Sequence, residues 1–324
     1  MKTPLFIGLV LLMTTSFGQK TIGGVERLDP LLDNLIDSSA KVEILADGFS
    51  WSEGPVWVPQ LNAVLFTDVP KNKLYQWDET NGLTIYLDPS GYTGYAPNEK
   101  KAGGNGLILD PEGNLLIAQH GDRRIAKVMA PLDQPGAFTT EVDRFEGKRF
   151  HSPNDLILHS NGDLYFTDPP YGLKGDDDPL RELLTNGVYR LSKNGELSLL
   201  YSQLNRPNGL ALSPDEKTLY VANSDAKRNL WMAFDLVEGK LLNERVFFDA
   251  TSIDRPGLAD GLKVNKNGYV FATGPGGVLV LSPEGKHLGT ILTEERTANC
   301  AFNEDESVLY MTSHRYLTRI KLKK

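Results

Sequence analysis

Two stretches of the chain share one pattern, Ser152-Pro153-Asn154-Asp155-Leu156-Ile157-Leu158 and Arg206-Pro207-Asn208-Gly209-Leu210-Ala211-Leu212. In each, a polar residue heads an apolar run, and a turn then leads to a second apolar strand. Four further copies align on the second residue of that strand, and neighbouring copies are 40–55 residues apart, at Leu65, Leu116, Tyr165, Tyr220, Val270 and Tyr310. A repeat of about 50 residues that contains several short strands is typical of a β-propeller. The sequence therefore predicts an all-β fold, a six-bladed β-propeller.

One polar residue occupies the same place at the head of every copy. These six residues are Glu53, Asn105, Asn154, Asn208, Asp260 and Asn299. Equivalent positions of a radial repeat face a common axis, so we expect six oxygen-bearing side chains to converge on the central channel. Carboxylate and amide oxygens suit a hard divalent cation such as calcium. The set contains no His or Cys, which argues against a zinc site built from softer ligands.

A purely structural explanation of the same repeat is also open. Asn-Gly and Asp-Gly are frequent in turns, and a repeat protein reuses its turns, in which case the six residues only cap strand ends. That explanation does not account for Glu53, because glutamate is a poor turn former. It also does not account for Asp155, which follows Asn154 in a copy that keeps the same apolar run. We therefore favour the metal site.

The N-terminal region contributes two elements ahead of the first repeat. Asp29 and Pro30 begin a short predicted helix over residues 29–36, which packs its leucines on the outside of the propeller. Residues 41–46 form a predicted strand that belongs to no repeat. The last repeat has only two clear strands after its polar residue. We expect the N-terminal strand to complete this last blade and close the ring.

Residues 1–18 have the pattern of a secretory signal peptide. Lys2 precedes an apolar run from Leu5 to Met13, and the small residues Ser16 and Gly18 precede the expected cleavage point. The run is too short to span a bilayer. We predict cleavage after Gly18, a periplasmic or secreted mature protein without a membrane span, and a single propeller domain over residues 19–324.

Charge and cysteine content exclude other classes of function. The 324 residues carry a formal net charge of −8, which argues against a nucleic acid as partner. The one cysteine, Cys300, lies in an apolar context, which favours an inert buried thiol over a catalytic nucleophile. The sequence does not indicate an oligomeric state.

Two long connections and three histidines are further candidates for the site. The connections span residues 88–104 and 169–186, and long loops of compact folds often cover binding sites. The second holds Tyr171 and an acidic run at 176–178. We interpret that run as the start of an exposed helix capped by Asp178, in preference to a metal site. The histidines His120, His151 and His314 lie near the predicted ring, and each can serve either as a ligand contact or as a structural hydrogen-bonding group.

Several motifs resemble one known family. They are Trp51-Ser52-Glu53-Gly54-Pro55-Val56-Trp57, Ser152-Pro153-Asn154-Asp155, Thr167-Asp168-Pro169-Pro170-Tyr171-Gly172, Arg206-Pro207-Asn208-Gly209-Leu210 and Asp260-Gly261-Leu262. With these motifs the chain resembles the SMP-30/gluconolactonase/LRE-like family, specifically its secreted bacterial gluconolactonase-type branch. The resemblance covers nearly all of the mature chain. It implies a six-bladed propeller with a divalent metal, usually calcium, in the central channel.

The resemblance also implies roles for individual residues. The metal ligands would be Glu53, Asn154, Asn208 and Asp260, with Asp260 also the catalytic base or nucleophile, and Asn105 would contact the substrate. Animal members of the family carry an arginine at the place of Gly103, so the grip on the sugar must come from elsewhere. We expect it to come from other residues near the ring, namely His120, Arg124, Tyr171 and Asn299.

The implied activity is hydrolysis of a sugar lactone, such as glucono-1,5-lactone, to the aldonic acid. The cofactor would be a divalent cation, calcium foremost, with zinc, manganese and iron(II) as alternatives. Two other functions remain open, hydrolysis of an organophosphate or another ester at the same metal site, and a non-catalytic propeller that binds a partner across its face. A binding scaffold does not need Glu53 and Asp260 at its centre, which argues against the last.

Overall fold

The structure, a computed structural model, describes residues 20–323 and arranges six small antiparallel sheets in a ring. Each sheet is one blade, and the first strand of every blade contacts the first strands of the two neighbouring blades. The first and sixth blades contact each other in the same way, so the ring is closed. The predicted six-bladed propeller is confirmed. The predicted signal peptide lies outside the described residues.

The first half of the chain contains the N-terminal elements and three blades. Before blade one come β1 (Thr21–Ile22), β2 (Gly24–Arg27), a 3₁₀-helix (Pro30–Asn34) and β3 (Val42–Asp47). Blade one is β4 (Ser52–Val58), a 3₁₀ turn (Pro59–Leu61), β5 (Ala63–Asp68), β6 (Lys73–Asp78) and β7 (Gly82–Leu87). Blade two is β8 (Gly104–Leu109), β9 (Leu115–Gln119), β10 (Arg124–Val128) and β11 (Thr139–Val142), followed by a small hairpin of β12 (Arg144–Phe145) and β13 (Lys148–Arg149). Blade three is β14 (Leu156–Leu158), β15 (Leu164–Asp168), a 3₁₀ turn (Pro170–Gly172), β16 (Gly187–Leu191) and β17 (Leu197–Tyr201).

The second half contains the remaining three blades. Blade four is β18 (Pro207–Leu212), β19 (Thr218–Asp225), β20 (Arg228–Val237) and β21 (Lys240–Asp249). Blade five is β22 (Leu262–Val264), β23 (Val270–Gly274), β24 (Gly277–Leu281) and β25 (His287–Leu292). Blade six begins with β26 (Thr297–Phe302), β27 (Val308–Ser313) and β28 (Tyr316–Lys321).

The N-terminal segment closes the ring and also reinforces it. Strand β3 pairs with β28, with Glu43 opposite Arg319, so it supplies the fourth strand of blade six as predicted. The structure adds two pairings that the sequence did not reveal. Strand β1 extends blade six beside β3, and β2 forms a fifth strand of blade five beside β25. One segment therefore fastens the last two blades together and covers two open sheet edges.

Strand β5 shows why the repeated strands are apolar throughout instead of alternating. The side chain of Leu65, on one face of β5, packs toward blade two against residues such as Ile117. Its neighbours Val64 and Phe66 pack on the opposite face, toward Tyr310 of blade six. Each inner strand thus lies between two sheets and buries both of its faces, which is what an apolar run indicates.

One of two predicted helices is present, in a shorter form. Pro30–Asn34 is a 3₁₀-helix whose first turn is capped by the carboxylate of Asp29, which accepts from the backbone N–H of Leu31. The helix expected after Asp178 was wrong. That segment consists of turns, and the Asp178 carboxylate accepts from the backbone N–H groups of Lys174 and Leu180. Across residues 20–323 no helix has the length and apolar character that crossing a bilayer requires.

Candidate active site

A cavity of about 610 Å³ lies at the centre of the ring. Five of the six residues that head the repeats line it, one from each of blades one to five, namely Glu53, Asn105, Asn154, Asn208 and Asp260. Two further predicted substrate contacts, His120 and Tyr171, also line it. A volume of this size accommodates a small molecule.

These five residues stand where the inner strands depart from regular pairing. In blades one, two and four the register between the first two strands shifts next to Glu53, Asn105 and Asn208. In blades three and five, Asn154 and Asp260 precede the first paired residue of the inner strand. Such irregularities re-aim a side chain out of the ladder, and here they place it in the cavity.

Glycine follows four of these five residues because the next blade passes close by. A Cβ atom at Gly54 would lie 1.9 Å from the backbone oxygen of Asn105, and one at Gly209 would lie 2.4 Å from that of Asp260. Gly54 also has a φ of +45°, which disfavours any larger residue. The recurring Glu-Gly, Asn-Gly and Asp-Gly pairs therefore reflect contact between blades, and three of them lie inside strands β4, β8 and β18.

Buried threonines hold the same backbone in place from the neighbouring blade. The Thr67 hydroxyl of blade one donates a hydrogen bond to the backbone oxygen of Asn105 in blade two, at 3.2 Å. The Thr167 hydroxyl of blade three donates to the backbone oxygen of Asn208 in blade four, at 2.7 Å. The backbone at Asn105 and Asn208 is thus held at the junctions between blades.

The two carboxyl groups of the cavity have pKa values above their ordinary ones. Burial, followed by the negative charge of Asp155, raises the pKa of Glu53 to about 7. Burial and the charges of Glu53 and Asp155 raise the pKa of Asp260 well above its usual range. The Asp260 Oδ1 atom is buried and has no hydrogen-bond partner among residues 20–323. A cation between these groups would favour their charged forms.

Neighbouring groups orient the asparagine amides. The Asn208 amide nitrogen donates to the Ser224 hydroxyl at 3.0 Å, and the Asn154 amide nitrogen lies 3.5 Å from His120 Nε2. This leaves their amide oxygens for a ligand, and the Asn105 Oδ1 atom is buried without a partner in the described chain. No cluster of three His, Cys, Asp or Glu side chains suited to a metal occurs within residues 20–323, so the amides must complete any metal site. Two carboxylates and two amides fit a divalent oxygen-seeking cation.

His120 and Tyr171 give the cavity two uncharged polar groups. Burial, and secondarily the charge of Lys100, lower the pKa of His120 to about 3, so its imidazole is neutral at physiological pH. Its Nδ1 atom has no partner within the described residues. Burial raises the pKa of Tyr171, whose hydroxyl hydrogen-bonds with Ser224 and Asn208. Both groups can donate or accept a hydrogen bond with a sugar.

The structure places two predicted substrate contacts outside the cavity. The Arg124 guanidinium donates to Gln119 and Thr140, at 2.7 Å each, and lies over the ring of Tyr95. The Asn299 side chain lies behind the cavity, where its amide nitrogen donates to Asp155 at 3.3 Å. Its hydrogen bond with Glu53 lowers the pKa of that carboxyl. Asn299 therefore supports Glu53 and does not line the cavity.

The remaining candidates have structural surroundings. His151 is fully buried, with its Nε2 atom 3.0 Å from the backbone oxygen of Leu183 in the loop 169–186. His314 pairs with Glu295 at 2.9 Å. Cys300 is buried, and burial raises its pKa to about 12, as the interpretation of an inert thiol requires.

Sequence reasoning missed several cavity residues and one neighbour. The missed residues that line the cavity include Trp51, Lys100, Ser224, Leu258, Arg296 and Thr297, and the missed neighbour is Asp155. Asp155 did leave a signal, since it replaces the glycine that follows the polar residue in four other repeats. Lys100, Leu258 and Arg296 lie in loops of unequal length, where no repeat alignment could identify them.

Comparison with known proteins points to one family. The profile of the SMP-30/gluconolactonase/LRE-like region matches residues 51–315. The gluconolactonase of Zymomonas mobilis is 40% identical in an alignment that covers 94% of this chain and 87% of the relative. Bovine regucalcin is 26% identical over 86% of this chain and 88% of its own. A crystallised gluconolactonase from Xanthomonas campestris superposes with a TM-score of 0.80 at 30% identity, covering 94% of this chain and 97% of that one.

Proposed function

The chain belongs to the SMP-30/gluconolactonase/LRE-like family, and on that premise we propose that it hydrolyses a sugar lactone such as glucono-1,5-lactone to the aldonic acid. The relative from Zymomonas mobilis and the structural neighbour from Xanthomonas campestris both bear the name gluconolactonase. The reaction opens an internal carboxylic ester, so the enzyme is a carboxylic ester hydrolase.

One observation carries the proposal. Glu53 and Asp260 share a central cavity in which their pKa values are raised, and Asp260 Oδ1 lacks a partner within the described chain. Isolating two carboxyl groups from water is costly unless a cation or a substrate compensates. Such perturbed groups in a cavity of substrate size are typical of active sites.

We propose that Glu53, Asn154, Asn208 and Asp260 hold a divalent cation. Calcium is the favoured ion because the whole donor set is oxygen, while zinc, manganese and iron(II) are the alternatives. When bound, the cation supplies positive charge that stabilises the negative charge developing on the lactone carbonyl oxygen. The hydrogen bond from Asn208 to Ser224 and the contact of Asn154 with His120 orient the two amide groups for this role.

Asp260 is the proposed general base. Water adds to the lactone carbonyl carbon, Asp260 takes a proton from that water, and the bond from the carbonyl carbon to the ring oxygen breaks. The ring oxygen leaves as a hydroxyl group after receiving a proton, so one water is consumed and an aldonic acid is released. In this proposal the neutral imidazole of His120 and the amide of Asn105, which both line the cavity, hold the hydroxyl groups of the sugar during these steps.

The test is hydrolysis of glucono-1,5-lactone by protein stripped of metal, before and after separate addition of calcium, zinc, manganese and iron(II). We expect little activity without metal and recovery with calcium. Thermal melting under the same conditions reports binding independently of turnover. Stabilisation without hydrolysis of any sugar lactone would move the proposal to a phosphoester or another ester. An absence of both effects would favour a binding scaffold.

We also propose that the mature protein acts in the periplasm or outside the cell. The support is the signal-like pattern of residues 1–18. Mass spectrometry of protein recovered from a periplasmic extract should show a chain that begins at Gln19, and a cytoplasmic chain that retains Met1 to Gly18 would refute this proposal.

A further inference from the structure

Two basic side chains line the mouth of the cavity without an acidic partner among residues 20–323. Lys100 lies in the loop before β8, and Arg296 directly precedes β26, and both are exposed to solvent. The Lys100 ammonium donates to the backbone oxygen of Tyr171, which is a neutral acceptor. The side chain of Arg296 has no hydrogen bond or ion pair with any residue in the range 20–323. Glu295, its acidic neighbour in sequence, is engaged by His314.

Two arginines away from the cavity show the contrast. Arg190 pairs with Asp163 and Arg255 with Glu26, at 2.7 Å in each case. Lys100 and Arg296 therefore present charge that the protein itself does not neutralise. The ammonium group of Lys100 has only the neutral backbone oxygen of Tyr171 as its hydrogen-bond partner within residues 20–323. Lys100 lines the same cavity as His120 and Asn154.

Trp51 lies on the same side of the ring. It immediately precedes blade one, which is flanked by blade six with Arg296 and by blade two with Lys100. Its indole hydrogen-bonds with Glu53 and its ring stands 5.5 Å from that of His314. An aromatic face suits the C–H groups of a sugar. The mouth therefore combines a flat apolar surface with a cation on each side.

The charges around the cavity still leave positive charge in excess once a cation is bound. Glu53 and Asp260 together match the charge of one divalent cation, and the two basic side chains outnumber the one further carboxylate nearby, that of Asp155. The chain as a whole carries a formal net charge of −8, and a pair of unneutralised cations at a cavity mouth in such a protein calls for a ligand. Guanidinium and ammonium groups bind carboxylates and phosphates by charge-assisted hydrogen bonds.

We propose that Lys100 and Arg296 select lactones that carry an anionic group, a carboxylate or a phosphate, at the end of the sugar away from the ester. The sugar ring lies against Trp51 in this arrangement, and the anion lies between the two basic side chains. The inference rests on the proposed lactone hydrolysis and names the class of substrate as an acidic sugar lactone. A neutral lactone binds at the same metal site but lacks the anionic group that Lys100 and Arg296 would contact.

The experiment compares kcat/KM for glucono-1,5-lactone, glucarolactone and 6-phosphogluconolactone, which carry no anion, a carboxylate and a phosphate. We expect the wild type to prefer an anionic lactone by about tenfold or more. The comparison of glucarolactone with 6-phosphogluconolactone shows whether the site prefers a carboxylate or a phosphate. Arg296→Gln and Lys100→Gln should each reduce that preference by roughly tenfold, because a charge-assisted hydrogen bond is lost. Raising the salt concentration should weaken the preference in the wild type.

Arg315→Gln is the matched control, since Arg315 is exposed, lacks an acidic partner among residues 20–323 and does not line the cavity. It should leave the preference unchanged. Hydrolysis of the neutral lactone with no preference for either anion would overturn the inference and leave the proposed function intact. If no lactone is hydrolysed, calorimetry that measures binding of the dianion glucarate still tests whether the anion site exists. Binding that Arg296→Gln and Lys100→Gln weaken would support an anion site, and an absence of binding would overturn it.

Discussion

The charge of Glu53 in blade one raises the pKa of Asp260 in blade five, because the two carboxyl groups face the same cavity across the ring. Both groups are shielded from bulk water, and the carboxylate of Asp155 adds a third negative charge nearby. Closure of the propeller forces these groups together, whereas the unfolded chain keeps them apart. This relationship links the stability of the protein, its pH dependence and its affinity for a cation.

The first prediction concerns the metal-free protein. A carboxyl group whose pKa is higher in the folded state than in the unfolded state stabilises the fold at low pH, and this stabilisation disappears as pH rises through the folded pKa. For Glu53 that window runs from about pH 4.5 to about pH 7. We expect the free energy of unfolding to fall by roughly 3 kcal/mol across it. Denaturant titrations at several pH values measure this fall.

Two changes should remove most of that pH dependence. Saturating calcium should do so because the bound cation favours the ionised carboxylates. Glu53→Gln should remove the part that Glu53 contributes, because that titrating group is gone, and should reduce the part from Asp260, whose pKa the charge of Glu53 helps to raise. It should also weaken calcium binding by at least about tenfold. A metal-free wild type whose stability rises between pH 4.5 and pH 7 would contradict this account of the cavity.

The second prediction concerns Asp260. Asp260→Asn keeps the size of the side chain and its hydrogen-bonding capacity but cannot take a proton from water. We expect kcat for the lactone to fall by roughly 10²–10⁴-fold, as for loss of a general base. Circular dichroism and the melting temperature in the presence of calcium should confirm an intact fold. Full activity in this variant would reject the role given to Asp260.

The repeat made much of the fold and of the central site predictable. The residues from Glu53 to Asp260 that head the first five repeats could be aligned because every blade reuses the same strand and turn, and all five line the cavity. The closing role of β3 followed from a missing strand in the last repeat. A residue that recurs in every repeat and a strand that is missing from one repeat are both visible in a single sequence.

The rest depends on contacts that no repeat records. The short strand β2 pairs with β25 because the N-terminal segment runs along the edge of blade five. Its four residues carry no repeat or alternation that would reveal this pairing in the sequence. Asn299 aligns with the other ring residues, yet it packs behind Glu53 because Gly261 leaves room for its side chain. Arg124 was expected to bind substrate, but Gln119, Asp122 and Thr140 already surround its guanidinium.

The third prediction tests the contact between blades one and two. Gly54→Ala would place a Cβ atom 1.9 Å from the backbone oxygen of Asn105 at a φ of +45°. Because backbone on both sides must shift, we expect a loss of about 2–4 kcal/mol in the free energy of unfolding. Gly136→Ala is the control, since its Cβ atom would meet nothing within 4 Å. Equal stability of the two variants would show that this contact does not constrain residue 54.

The fourth prediction separates the two functions of the N-terminal segment. Deleting residues 20–28 removes β1 and β2 but leaves β3 in place, so the ring stays closed and the melting temperature should fall by only several degrees. Deleting residues 20–47 also removes Val42 from the core it shares with Leu309 and Ile320, and it exposes the edge of β28. We expect this longer deletion to abolish cooperative unfolding and to cause aggregation. Calorimetry and light scattering of the purified proteins distinguish the two, and similar melting curves for both would show that β3 does not close the ring.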